Sequence, residues 1–444
     1  MEKNLPALLA AQLATFADTR RFVVAYSGGA DSHALLHALK SLCLPQETLA
    51  LHVNHGGFSV HDDSWQAHCA ATCAALGVAF YAERVQVLPD GKGPENAARQ
   101  ARYDAFASCV GAGDVLLLAH HADDQMETFF LRLLRGAGVR GLSGMPHKRA
   151  IGGGQMLRPW LTVSRDAVRR YAVMHSLRWA EDESNHTLCF DRNYLRMQVL
   201  PLLQKRWPQA EGSLARSMHW CLEADALADE LAEMDYAACC PQAERLGFSL
   251  VFSSLVALSR ARARNVLRLW LTRCGAPMPS HRLLDAMLEQ GLGARMDAAP
   301  QQRWLGWQCA RYRRRGYLFP QWPDLDPQAV WLCAIDDSIS DRAFGRLSFT
   351  AVHGLGMRVD TSRPLTTRFV REGVRCRPQG RVHSQTLKKL FQEYAVPPWL
   401  RERVPLIYQG DKLLAVGDFW VCAEAAVDEA ETGYLPQWAL EYRP

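Results

Sequence analysis

Two short polar strings in this chain have the residue types and spacing to do chemistry. The first, Ser27-Gly28-Gly29-Ala30-Asp31-Ser32, follows the apolar run Phe22–Tyr26 and precedes a helical pattern. Adjacent glycines let a backbone turn tightly and present successive N–H groups as an anion nest. A helix N-terminus behind them adds partial positive charge, and Ser27 and Ser32 add hydroxyl donors. Asp31 is an acid at an anion site, which makes sense once a Mg²⁺ ion is shared between a carboxylate and phosphate oxygens. The Walker pattern G-x-x-x-x-G-K-[ST] is absent. The bland alternative is a Gly-Gly turn with Ser or Asp as a helix cap.

The second string is His120-His121-Ala122-Asp123-Asp124-Gln125-Met126-Glu127-Thr128. Spacings of four and three put His120, Asp124 and Glu127 on one helical face. Two carboxylates there could hold Mg²⁺ or receive a substrate ammonium group. Each residue alone reads as a cap or a surface polar group, but their density at a strand-to-helix junction favours a site. A zinc protease motif, H-E-x-x-H, does not occur.

Strand and helix patterns alternate through the first half. Phe22–Tyr26, Thr48–Asn54, Val78–Val85 and Asp114–Ala119 read as strands, separated by helical segments at 65–76, 94–110 and 121–135. That alternation predicts a doubly wound parallel sheet, whose ligands sit beyond the carboxyl ends of the strands. Ser27, the pair Asn54 and His55, and the pair His120 and His121 all fall there. The glycine-rich stretch from Gly136 to Gly154 reads as a mobile surface loop. Residues 201–320 read mostly as helices. The tail mixes strands at 347–352, 365–370 and 413–421 with a helix near 385–394. The expected fold is α/β, followed by a helical domain and a small α+β domain, with divisions at 1–210, 211–335 and 336–444.

The string SGGADS resembles the pyrophosphate-binding motif of the PP-loop ATP pyrophosphatases, which split ATP between its α and β phosphates. The segment Ala119–Met145 is similar to the tRNA(Ile)-lysidine synthase family. So are PENAARQARY (Pro94–Tyr103), LRPWL (Leu157–Leu161), DESNHTLCFDRNYLRMQVLP (Asp182–Pro201) and Thr386–Val421, although Trp160 stands where the family usually has Leu. The resemblance implies a ligase with ATP and Mg²⁺ as cofactors. Its substrates would be free L-lysine and the wobble cytidine of a tRNA(Ile) with a CAU anticodon. The cytidine C2 oxygen is adenylated, and the lysine ε-amine then displaces AMP. On that basis Ser27–Ser32, Asn54 and His55 are candidates to bind ATP, and Asp31 is the candidate metal ligand. Asp124 and Glu127 are candidates to receive or deprotonate lysine, with His120 beside them. Arg99, Arg192 and Arg196 are candidates for phosphate or nucleotide contact, with structural pairing to carboxylates as their alternative. The helical and C-terminal domains are expected to hold tRNA.

Composition sets the outer bounds. Lys+Arg exceeds Asp+Glu by 51 to 46, a mild surplus, yet only eight of the cations are Lys. One-sided basic runs occur at 132–170, 260–273, 311–315 and 363–389, which suits a long polyanion better than a point ligand. The 13 Cys are scattered, with no C-x-x-C, which predicts reduced thiols in a cytoplasmic protein. It also counts against a PP-loop tRNA thiolase using paired Cys. A non-enzymatic RNA-binding protein is the other alternative, disfavoured by two intact polar strings. No apolar run spans a membrane and no secretory leader is read. A homodimer remains open.

Overall fold

A computed structural model describes residues 4–55, 62–87, 94–181, 187–188, 190–293 and 301–440. The chain forms two compact units, 1–226 and 227–444. The second unit contains most of both the helical and C-terminal parts expected from sequence.

The first unit opens with helix α1 (Leu5–Leu13) and then alternates. Its elements are β1 (Arg21–Ala25), α2 (Ala30–Ser41), β2 (Glu47–Asn54), α3 (Asp62–Leu76), β3 (Ala79–Arg84), α4 (Pro94–Cys109), β4 (Asp114–Leu117) and α5 (Ala122–Leu134). Then come α6 (Val139–Leu142), β5 (Lys148–Ile151), β6 (Gly154–Leu157) and α7 (Arg165–Met174). The sheet order is β3-β2-β1-β4-β6-β5, parallel except for β5. The chain winds outward from β1 in one direction and resumes at β4 on the other side, so the switch point lies between β1 and β4. Both strands are buried on two faces, which is why they read as continuous apolar runs. Phe22, Val24, Val115 and Leu117 pack with residues of α1, α2 and α7, while Val23 and Leu116 pack with Phe106 of α4 and Val110 just after it.

The glycine-rich segment is not the free loop its composition predicts. It contains α6 and the β5–β6 hairpin, which extends the sheet. Its glycines serve close approach. Gly152 has φ +53°, and a Cβ there would run into the Ala107 and Val110 carbonyls at 2.6 Å or less. Upstream, Arg132 Nη1 donates to the Gly141 and Gly144 carbonyls at 2.9 and 2.8 Å. Gln125 pairs with Met145 through both its amide atoms.

Helices α8 (Asp191–Tyr194), α9 (Leu200–Arg206) and α10 (Ala210–Ala238) follow, with a π-turn at Leu195–Val199. Pro201 has no N–H for the carbonyl of Met197, a local reason for the widened turn.

The second unit departs from the expected helical domain. Helices at Arg260–Arg273 and His281–Gly293 are present, but they accompany a five-stranded antiparallel sheet. Its strands are β7 (Gln242–Ala243), β8 (Phe248–Val251), β9 (Gln301–Trp304), β10 (Trp307–Tyr312) and β11 (Arg315–Pro320). The tail is α+β, with a five-stranded and a three-stranded antiparallel sheet. One apolar core runs from Leu246, Ala310 and Phe319 through Phe344 and Leu406 to Trp438, joining the two parts.

Gly152→Ala should lower stability by about 2 kcal/mol, because the new methyl meets backbone that cannot move aside. Urea unfolding checks this; an unchanged midpoint would show that the hairpin is loosely held.

Candidate functional site

The Ser27–Ser32 loop leaves β1 at the switch point and enters α2. Gly28 has φ +82°, and a Cβ there would lie 2.6 Å from Trp65 Nε1 and 2.8 Å from Cys69 Sγ, so α3 presses on the loop. Only glycine meets both conditions. Ser32 Oγ accepts from the Ser27 N–H at 3.2 Å, lies 3.1 Å from Ser27 Oγ and donates to the Gly29 carbonyl at 3.1 Å. Gly29 occupies the N-cap of α2, and no side chain caps that helix end. Its first N–H groups are therefore open to an anion.

Across the switch point, His121 caps α5. The Asp124 N–H donates to His121 Nδ1 at 3.4 Å, and Asp124 Oδ2 accepts from the His121 N–H at 3.0 Å. His121 Nε2 lies 3.6 Å from Asp31 Oδ2, so the imidazole links the two strings. Burial lowers its pKa, but Asp31, Asp124 and Asp123 outweigh that and raise it. Asp31 Oδ1 is buried with no hydrogen-bond partner.

Asp124 and Glu127 do not wait empty for a ligand. Arg192 Nη2 donates to Asp124 Oδ1 at 2.8 Å and Arg192 Nε to Glu127 Oε2 at 2.6 Å. Arg196 Nε donates to Glu127 Oε1 at 2.5 Å, and its Nη2 reaches Asp124 Oδ1 at 3.4 Å. Glu127 is fully buried. Burial would raise the Asp124 pKa, but His121 and Arg192 reverse this and pull it to about 2. A cleft of about 190 Å³ opens beside this cluster, lined by residues including Asp123, Glu127, Arg165, Asp166, Arg196 and Glu211.

The remaining candidates divide. His120 Nδ1 accepts from Arg158 Nε at 3.1 Å. Arg99 stacks over the Tyr103 ring at 5.0 Å, and Arg149 lies over the same ring at 4.8 Å. Asn54 is 2% exposed and donates to Gln66 Oε1 at 2.9 Å, so it ties β2 to α3 rather than lining an open pocket. His55 Nε2 lies 3.3 Å from Arg102 Nη2. Residues 182–186 of the DESN segment lie outside the described residues. Arg102, Tyr103, Arg149, Arg158 and Arg165 were not singled out by sequence reasoning. Arg102, Tyr103 and Arg158 sit inside the segments quoted for the resemblance, which was the available signal.

Three family models match the chain: a PP-loop domain over residues 1–203, the TilS substrate binding domain over 250–317 and the TilS substrate C-terminal domain over 365–438. A tRNA(Ile)-lysidine synthase of Coxiella burnetii is 39% identical over 439 residues, covering 97% of this chain and 95% of that protein. One of Serratia proteamaculans is 40% identical, covering 98% of each. One of Pseudomonas fluorescens is 39% identical, covering 99% of this chain and 97% of that protein. The chain belongs to the tRNA(Ile)-lysidine synthase family. As a member of that family it is a PP-loop, ATP-utilising ligase, and the Ser27–Ser32 loop lies within the matched PP-loop domain.

One basic run loses its expected meaning. Arg262 pairs bidentately with Asp235 at 2.9 and 2.6 Å, and Arg264 with Asp285 at 2.5 and 3.0 Å. Arg260 reaches Glu289 at 2.5 Å and Arg273 reaches Glu233 at 2.6 Å. The acids come from neighbouring helices, so most of the 260–273 run is spent on helix packing. By contrast, Arg368, Arg371 and Arg375 in the 363–389 run bond to backbone carbonyls and keep their charge uncompensated by those contacts.

Two outcomes follow from these pairings. Asp124 contributes stability above its unfolded pKa near 4, and loses it as pH falls through about 2. The contribution is roughly 2 kcal/mol, so Asp124→Asn should flatten the fall in denaturant midpoint between pH 5 and pH 3. An equally steep fall in the variant would show that other groups carry it. Arg262→Ala should lower the unfolding midpoint, since buried Asp235 loses its partner, while tRNA affinity in a filter-binding assay stays near wild type.

Proposed function

We propose that this chain ligates free lysine to C2 of the wobble cytidine of a CAU-anticodon tRNA(Ile), through an adenylated intermediate. The observation that carries the reading is the opposition, across one switch point, of an uncapped helix N-terminus and a carboxylate–guanidinium cluster. The first suits the pyrophosphate portion of ATP. The second borders a cleft whose acids and arginines match an amino acid that carries two ammonium groups and one carboxylate.

Ser27–Ser32 and the start of α2 take the β and γ phosphates. Asp31 fits a Mg²⁺ ion, because its Oδ1 is buried without a donor and Mg²⁺ uses one or two carboxylates with phosphate oxygens. Bound there, the ion would neutralise charge on the phosphates. Among the described residues no cluster of three or more His, Cys, Asp or Glu could hold a metal by itself, so substrate oxygens would complete the shell. Arg99, with Arg102 and Arg149 near Tyr103, forms a cationic patch suited to a nucleotide or tRNA phosphate. The base leaves its stack to react, which an anticodon loop permits at low cost.

Lysine enters the cleft beside Glu127 and Arg196, its ammonium groups facing Asp123, Glu127, Asp166 or Glu211. Asp124, with its pKa held near 2, is a weak proton acceptor at neutral pH. It acts by charge, orienting Arg192 and the α5 N-terminus, and is not the base that frees the amine. Arg132 in the 132–170 run, and Arg368 and Arg375 in the 363–389 run, donate to backbone carbonyls and support tRNA contact by phosphate attraction. No described helix is long and apolar enough to cross a membrane, and all described cysteines are unbridged, in keeping with work in the cytoplasm.

The test combines the chain with ATP, labelled lysine and a tRNA(Ile) transcript. ATP-dependent incorporation of label is expected. Pyrophosphate release without lysine transfer would instead favour a thiolase-type reaction. Asp31→Ala should reduce pyrophosphate release at least about 10²-fold; normal turnover in that variant would remove Asp31 from the metal site.

A further inference from the structure

We propose that Arg158 is a positioning residue for His120, holding the imidazole as its Nε2–H tautomer so that it serves the reaction as a hydrogen-bond donor. The inference rests on reading the junction of β4 and α5, where His120 stands next to the α5 cap His121, as part of the adenylating centre. Arg158 follows β6 and is 2% exposed. Its hydrogen bonds run to His120 Nδ1 at 3.1 Å, the Tyr103 hydroxyl at 3.1 Å and the Pro146 carbonyl at 2.6 Å. None of these acceptors is a carboxylate. A buried guanidinium held by neutral acceptors keeps its full charge facing its surroundings.

The hydrogen bond from Arg158 Nε decides the tautomer of His120. A guanidinium only donates, so Nδ1 must present a lone pair, and the ring proton sits on Nε2. An imidazolium would set two N–H groups head to head. The charged groups around His120 are Asp124, Arg158, Arg192 and Arg99. Burial and the three arginines outweigh Asp124 and push the ring pKa down to about 3. His120 is therefore neutral wherever the enzyme works, and a poor base. A fixed neutral donor is suited to the negative charge that develops on phosphate oxygens as ATP is split. Tyr103, flanked by Arg99 and Arg149, braces the other side of Arg158.

The test uses the full chain labelled with ¹⁵N-histidine, read by long-range ¹H–¹⁵N correlation. In the wild type, His120 should remain the Nε2–H tautomer from pH 6 to pH 8.5. In Arg158→Met, with the donor to Nδ1 gone, the ring should become a tautomer mixture. An Nδ1–H form or an imidazolium in the wild type would overturn the proposal, as would an unaltered ring in the variant. Should Arg158→Met fail to fold, His120→Gln and His120→Ala decide. The Gln amide carries an N–H close to the place of Nε2–H and should keep pyrophosphate release within about tenfold, while Ala loses about 10²-fold. Gln as impaired as Ala would refute the donor role. The spectroscopic result is independent of lysine transfer, so a chain with the predicted tautomer but no lysine incorporation would refute the proposed function alone.

Discussion

The site depends on keeping two carboxylates charged where water is scarce. Asp124 and Glu127 project from the first two turns of α5, and Glu127 has no exposure. An isolated buried carboxylate would be expelled or protonated. Arg192 and Arg196, one helical turn apart, supply four hydrogen bonds of 3.1 Å or less to the pair. This clamp docks the chain after residue 190 against the helix that follows β4. It also sets the floor of the adjoining cleft, since Glu127 and Arg196 line it. Remove the arginines and Glu127 is left as a buried charge without them, which is why the four residues act as one structural unit before they act on any substrate.

The parallel sheet was legible in the sequence because its strands are buried on both faces and therefore uninterrupted in hydrophobicity. The turn at Ser27–Ser32 was legible because its demands are local: a left-handed residue at Gly28 and a helix start at Gly29. What misled was composition without context. Glycines 152 to 154 look like freedom of movement, yet they let a hairpin lie against the end of α4 and against β4. The strands β9 to β11 carry Arg, Gln and Trp in short runs, and their antiparallel partners cannot be seen in a helical window. The role of Asn54 was also misplaced. Its position after a strand edge fitted a pocket, but its partner Gln66 lies on a helix whose packing no local pattern reveals.

The positive charge of the chain illustrates the same limit in electrostatics. A run of arginines in sequence says nothing about acids brought beside it by folding. At 260–273 the acids arrive from residues 233–235 and 285–289, and the run becomes a set of helix staples. Elsewhere arginine takes carbonyl oxygens: Arg132 those of Gly141 and Gly144, Arg371 those of Phe369 and Val404, Arg401 that of Val396. A carbonyl satisfies the donors but leaves the charge standing.

This distinction matters more for function than the net count does. A guanidinium paired with a carboxylate is electrically silent at a distance, whereas one held by carbonyls is both rigid and cationic. Rigidity spares the side-chain entropy that a free arginine would lose on meeting a phosphate. The preference for Arg over Lys then has a physical reading within the fold. Its five-donor fork can be anchored by the backbone on one edge and still present charge on the other, which a single ammonium cannot do with the same geometry. Arg158 carries the idea furthest, being buried, held by three neutral acceptors and charged beside a histidine whose proton it thereby places.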